Sequence, residues 1–217
     1  QGERLADWLR VNGYEVLLTR EPGATEIGER LRSVLLDVQT GALSPRTEAL
    51  LYAADRAEHV STVIRPALER GAVVITDRFI DSSVAYQGAG RELPPSQIAK
   101  LSRWATDGLR PALTVLLDIP PEVGRGRGEE TPDRLESEPD EFHDRVRQRY
   151  LALAEQTPYR YLVVDATEST EAVAERIQER IRRMLFVSTQ ADEATATETA
   201  EAAPADAAAT AEPEVAD

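Results

Sequence analysis

The chain has 217 residues and a formal net charge of −14, from 25 Lys and Arg against 39 Asp and Glu, a balance that disfavours a general nucleic-acid surface. It has no cysteine and only two histidines, far apart, which excludes a disulfide framework, a thiolate metal site and a histidine-built zinc centre. No apolar run approaches the roughly 18–20 residues of a membrane-spanning helix, so no membrane contact is expected and a cytoplasmic protein fits.

In chain order, residues 1–11 predict an amphipathic helix with Leu5, Ala6, Trp8 and Leu9 on one apolar stripe. A strand over 14–19 closes on Thr19-Arg20-Glu21, and Pro22-Gly23 breaks the chain before a helix over 26–37. A longer helical stretch, 46–69, carries Tyr52 and Arg56 four residues apart and hence on one face. The strand 72–76 runs straight into Asp77-Arg78, and a loop and helices follow across 81–108. A strand over 113–118, a short helix from Pro121, a charged loop, a helix over 138–156, a strand over 161–165 and a helix over 170–186 complete the order. Trp8 and Trp104 read as packing residues, and His59 and His143 as solvated helix residues.

Strands alternating with helices predict an α/β fold, a parallel sheet flanked by helices on both faces. Residues 1–187 make one domain. From 188 to 217 there are eight acids and no Lys or Arg among Ala, Thr and Pro, so this acidic tail is expected to be disordered.

In open α/β sheets ligands gather at the carboxyl ends of the strands, where Asp77 and Arg78 fall. A carboxylate there can orient a magnesium ion, and a guanidinium can fork onto a phosphate. Alone, the pair fits a surface ion pair closing a strand better, and the residues after it together with the segment 16–25 reverse that preference. Arg20 and Arg78 ending two different strands suit a doubly charged phosphate monoester. The stretch Gly124-Arg125-Gly126-Arg127-Gly128 alternates freely rotating glycines with cations, as a loop closing on an anion does. An ordinary solvated loop, or an RNA-binding Arg-Gly segment, has the same composition.

Taken together, Thr19-Arg20-Glu21-Pro22-Gly23, Tyr52-Ala53-Ala54-Asp55-Arg56, Asp77-Arg78-Phe79 with Ala85-Tyr86-Gln87-Gly88, and Asp133-Arg134-Leu135-Glu136 resemble, in order and spacing, the bacterial-type thymidylate kinases (dTMP kinases). The resemblance runs from Gln1 to about residue 185. It implies a P-loop-containing nucleoside triphosphate hydrolase-like fold and the reaction ATP plus dTMP giving ADP plus dTDP, with Mg2+, for dTTP synthesis. It also implies a homodimer.

By the same resemblance Arg20 and Arg78 hold the 5′-phosphate, Asp77 reaches the magnesium through water, and Tyr52 stacks on the base. Arg56 meets a thymine carbonyl and Ser83 the ring edge, while Tyr86 crowds the sugar 2′ position and Gln87 extends that wall. Residues 124–136 form a lid whose Arg125, Arg127 and Arg134 serve the transferring phosphate and ATP, and Ala166 and Thr167 lie near the adenine. The family's opening strand and phosphate loop, G-x-x-x-x-G-K-[ST], have no counterpart in the sequence, and no lysine precedes Lys100. The resemblance therefore predicts a chain cut just after that loop and inactive on its own, its parent being the kinase. Two other readings stand beside it: a kinase for another deoxynucleotide, and a non-catalytic nucleotide-binding or interaction module of a longer polypeptide.

Overall fold

Two pairs of parallel strands carry the molecule in the computed structural model, which describes residues 1–125 and 132–201. Strand β1 (Val16–Thr19) pairs with β2 (Val73–Thr76), Val16 opposite Val73 and Thr19 opposite Thr76. Strand β3 (Thr114–Asp118) pairs with β4 (Tyr161–Asp165), Thr114 opposite Tyr161 and Asp118 opposite Asp165. All four are short, aliphatic and partly β-branched, as parallel strands covered by helices are. The four strands counted from sequence do form, but as two ladders and not one sheet among the described residues. A ladder needs neighbouring backbones about 4.8 Å apart, and no such pairing joins β2 to β3.

Helix α1 (Gly2–Val11) packs on β1 and buries Ala6 and Leu9, the predicted stripe. Helix α2 (Glu26–Leu36) starts at Thr25, whose hydroxyl accepts from the Gly28 amide. Helix α3 (Pro45–His59) is capped by Ser44 with Pro45 in the first turn, both favourable there. It continues through a π-helical turn (Val60–Ile64) into α4 (Arg65–Glu69), which accounts for the long helical stretch 46–69. A Cβ on Gly28 would lie 2.5 Å from Asp55 Oδ1, so glycine permits the close approach of α2 and α3.

After β2 come α5 (Ile80–Ser83), a second π-helical turn (Val84–Gly90) and α6 (Pro95–Ala105). Helix α7 (Pro121–Arg125) follows β3, α8 (Asp140–Gln156) precedes β4, and α9 (Thr170–Glu201) follows it. The last helix thus runs past 186, to Glu201. Alanine and glutamate are strong helix formers, and no Pro or Gly interrupts the chain before Pro204. The chain divides into two compact units, Gln1–Gln178 with both ladders, and a second from Glu179, where Arg182 and Arg183 pair with Glu179.

Two further expectations are corrected. Trp104 is 81% exposed and packs little, since the buried face of α6 is formed by Ile98, Ser102 and Ala105. His59 is fully buried, because the face of α3 that carries it turns toward β1.

The core beside the strand ends joins Leu35 of α2, Tyr52 of α3, Ala85, Leu135, and Phe142 and Val146 of α8. The Phe142 ring meets Tyr86 edge-on at 6.0 Å and carries the Arg91 guanidinium 4.9 Å above it. A Cβ on Gly90 would come within 2.6 Å of that ring. Gly90→Ala should therefore destabilise the protein by about 1–3 kcal/mol through overpacking. Calorimetry should read this as a fall in Tm of roughly 2–4 °C per kcal/mol.

Candidate active site

Because β1 and β2 end in register, the residues that follow them lie side by side, and the Glu21 amide donates to Asp77 Oδ1 at 3.0 Å. Beyond Glu21 the chain turns through a cis Glu21–Pro22 peptide and Gly23 at φ +99°. The Gly23 amide then donates to Asp55 Oδ1 at 3.1 Å, tying the turn to α3. Above these strand ends opens a cavity of about 210 Å³. Tyr52 and Arg56 of α3 line it, with Asp77 and Arg78 after β2 and Ser83, Tyr86 and Gln87 on the helical segment beyond. Seven residues singled out from sequence thus meet in one wall.

Arg56 is 1% exposed and donates with all three of its nitrogens. Its Nε donates to Glu21 Oε1 at 2.6 Å, and one terminal nitrogen to the hydroxyls of Ser83 (3.0 Å) and Ser102 (3.3 Å). The other reaches the Phe79 carbonyl at 3.3 Å and pairs again with Glu21. The five N–H donors of a guanidinium are accounted for. Glu21, also buried, has His59 Nδ1 3.4 Å from its second oxygen, and His59 Nε2 lies 2.9 Å from Thr19 Oγ1. Asp55, against Gly23, has one buried oxygen with no partner, and burial raises its pKa.

Burial pushes the Tyr52 phenol well above its usual range and that of Tyr150 up to about 12, so both rings are neutral. Tyr150 donates to Ser82 Oγ at 2.7 Å and meets Tyr86 edge-on, and the Arg78 guanidinium lies 5.1 Å from the Tyr86 ring centre. The segment carrying Ser82 and Ser83 is pinned by Asp81, whose carboxylate accepts both terminal nitrogens of Arg160 (2.7 and 3.0 Å) and the Thr114 hydroxyl.

Behind Gln87 stands Glu48, fully buried. Its Oε1 accepts Gln87 Nε2 at 3.0 Å and Arg91 Nε at 3.1 Å, and its Oε2 accepts Arg91 at 3.0 Å and Arg134 at 2.6 Å. Burial opposes its ionisation, but the bonds from Arg91, Gln87 and Arg134 outweigh that and hold it below the usual carboxylate range.

Other sequence candidates lie elsewhere. Arg20 does not line the cavity; its side chain is 56% exposed and pairs with Glu29. Arg134 is built into the frame, donating to the Leu35 carbonyl at 2.7 Å as well as to Glu48. Thr167 closes a turn on Asp165 with its amide and hydroxyl, and neither it nor Ala166 lines the cavity. The Arg125 side chain, Arg127 and the rest of 126–131 lie outside the described residues, and with them the middle of the predicted lid.

Among the polar lining residues, Glu21, Arg32 of α2, Ser82, Asp133, Glu136 and His143 of α8 had been given no site role from sequence. His143, read as solvated, has its Nε2 buried and without a protein partner, its ring edge-on to Phe142 at 5.4 Å. Arg32 donates to the Pro22 carbonyl at 2.9 Å. The signal for Arg32 was its helical spacing from the Pro22-Gly23 turn, which brings it back over the strand ends.

The thymidylate kinase family profile matches residues 1–177. The chain belongs to the thymidylate kinase family. It is 51% identical over 194 residues to the thymidylate kinase of Clavibacter michiganensis subsp. michiganensis, covering 88% of this chain and 92% of that one. It is 51% identical over 187 residues to that of Bifidobacterium longum (85% and 91%), and 46% identical over 190 residues to that of Desulfovibrio desulfuricans (83% and 88%). Thymidylate kinases have the P-loop nucleotide kinase fold, and the α/β architecture described here accords with it.

Two outcomes test the site's energetics. Arg56→Ala would strand the Glu21 carboxylate in the interior at a cost of about 3–5 kcal/mol. Arg20→Ala removes an exposed pair, worth roughly 0–1 kcal/mol, and one long bond to the Gly23 carbonyl, so urea unfolding should find it much the milder of the two variants. Glu48, whose folded pKa is lowered from 4.5, contributes stability that is present above that value and lost as pH falls through the lower folded one. Unfolding free energies measured from pH 7 down to 3 should show this acid loss, and Glu48→Gln should flatten it.

Proposed function

We propose that the cavity takes dTMP and that the protein transfers the γ-phosphoryl group of ATP to it, giving dTDP and ADP. The observation that carries this is the make-up of one wall. Arg32 and Arg78, two cations, share it with Tyr52, a neutral buried ring, and with the polar row Arg56, Ser83 and Gln87. Cations suit the phosphate, an aromatic face suits a base, and a polar row suits the base edge. Arg32 takes the place beside Arg78 that the sequence suggested for Arg20. Tyr86, under the Arg78 guanidinium, faces the sugar.

The acceptor is already a phosphate at neutral pH, so the reaction needs alignment and charge neutralisation more than a general base. Arg78 and Arg32 bind and orient the acceptor, and Arg125 and Arg127 supply further positive charge from the lid. Mg2+ typically keeps its waters and uses one or two carboxylates besides the phosphates. Asp77 has one oxygen on the Glu21 amide and lines the cavity, so it fits a water-mediated contact to that ion, which would neutralise charge on the phosphates. Ile27 and Val34 of α2 and Leu50 of α3 are exposed apolar side chains on two helices in mutual contact, which supports a homodimer. Among the described residues no helix is long and apolar enough to cross a membrane, and a cytoplasmic enzyme is the reading we adopt.

The donor side is held in the family by a phosphate loop, a motif the 217 residues do not contain, so the test is placed on the acceptor. Calorimetric titration should show dTMP binding to the chain in preference to dGMP and dCMP. Arg78→Ala should weaken dTMP by roughly 10–100-fold, the worth of charged hydrogen bonds, while hardly changing thymidine, which lacks the phosphate. Equal losses for dTMP and thymidine would sink the assignment of Arg78. Tighter binding of dGMP or dCMP would replace dTMP by another deoxynucleotide.

A further inference from the structure

The amide of Gln87 can face either way at almost no change in shape, one end donating and the other accepting. Its neighbour removes that freedom. Glu48 is fully buried and receives only donors, from Arg91 and Arg134, so it stands as an ionised acceptor. Gln87 can then meet it only with Nε2, at 3.0 Å. Among the described residues no donor reaches Gln87 Oε1, and Gln87 lines the cavity while Glu48 does not. One helical turn earlier, Ser83 Oγ accepts from Arg56 at 3.0 Å, which leaves its hydroxyl hydrogen and one lone pair to offer. The wall therefore presents a fixed acceptor, the Gln87 oxygen, next to a hydroxyl that can turn either way.

We infer that Glu48 is a positioning residue that fixes the amide polarity of Gln87, and that this polarity selects pyrimidines with an N–H at ring position 3 beside a carbonyl at position 4. Thymine and uracil present that pair. Cytosine presents the reverse, an acceptor nitrogen beside an amino group, and would set that nitrogen against the Gln87 oxygen, acceptor against acceptor. Sites built to hydrogen-bond a substrate group reject the analogue that leaves them unpaired far more strongly than sites that merely lose packing. The inference rests on the dTMP reading above and adds to it the origin of base selectivity, at a residue that touches no ligand.

In Glu48→Gln the new carbonyl stays with the terminal nitrogens of Arg91 and Arg134, while the new NH2 gives up the Arg91 Nε bond and faces Gln87, which turns its own oxygen inward and its NH2 to the ligand. Calorimetric titration of the full chain with dTMP, dUMP and dCMP should then show the dTMP-to-dCMP affinity ratio falling by roughly tenfold or more, one reversed hydrogen bond being worth about that. The affinities for dTMP and dUMP should fall together, and Glu48→Asp, still acceptor-only, should keep the ratio. A purely structural Glu48 would weaken all three nucleotides alike, and an unchanged ratio in folded Glu48→Gln overturns the inference.

Should that variant not fold, the unaltered protein decides. With 15N-labelled dTMP, NMR should detect coupling from thymine N3 across a hydrogen bond to the Gln87 side-chain carbonyl carbon. Contacts from the Gln87 NH2 protons to the base would overturn the inference. Failure of dTMP to bind at all would overturn the dTMP reading, and this inference with it; binding with an insensitive ratio would overturn this inference alone.

Discussion

The buried pairing of Arg56 with Glu21 is the constraint on which the site depends. Two opposite charges out of water are tolerable only when each has its full set of partners. Glu21 can reach Arg56 because β1 ends in register with β2 and the chain then turns sharply at Pro22-Gly23. Arg56 can receive it because α3 presents Tyr52, Arg56 and His59 along adjoining faces, close over the strand ends. Ser83, Ser102 and the Phe79 carbonyl complete the guanidinium's bonds from two further segments. One ion pair thus gathers β1, α3, α5 and α6 around the same point.

A second buried charge, Glu48, does the same on the other side of the cavity. It binds α3 to the π-helical turn through Gln87 and Arg91, and to the stretch after 131 through Arg134. Arg91 extends the network to Glu138 and lies over Phe142, where it meets the apolar cluster. Core and cavity are consequently not separate regions. Tyr52 belongs to both, as do Leu135 and, through Phe142, Tyr86. Tyrosine suits that position because its ring packs while its hydroxyl stays neutral.

Much of this was legible in the sequence, for identifiable reasons. The strands are short apolar runs ending in charged residues, and the ends of those runs are where the cavity lies. Tyr52, Arg56, Arg78, Ser83, Tyr86 and Gln87 came out of linear motifs, and all line the cavity. What linear motifs lack is the direction of a side chain. Arg20 and Arg32 are both arginines near the same turn, and only the helical phase of α2 makes the second the lining one. His59 looked solvated because its partners Thr19 and Glu21 lie some 40 residues away in sequence. Arg134 looked catalytic in its motif, whereas its contacts to Leu35 and Glu48 are set by the fold at separations that no local pattern encodes. The division into two ladders was equally hidden, since strand propensity is silent about which backbone a strand will pair with.

The saturation of Arg56 separates the residues around the pocket in how freely they can change. Along the side of the cavity formed by Arg56, Ser83 and Gln87, each polar group already holds a structural bond, so an altered side chain there alters the stability of the whole domain. Arg20, outside the cavity, carries less of that duty, held by a solvent-screened pair with Glu29 and a 3.3 Å bond to the Gly23 carbonyl. Substitution is therefore cheap at Arg20 and costly along that side of the cavity. A surface already ordered by folding also has little side-chain freedom left to lose when a ligand arrives.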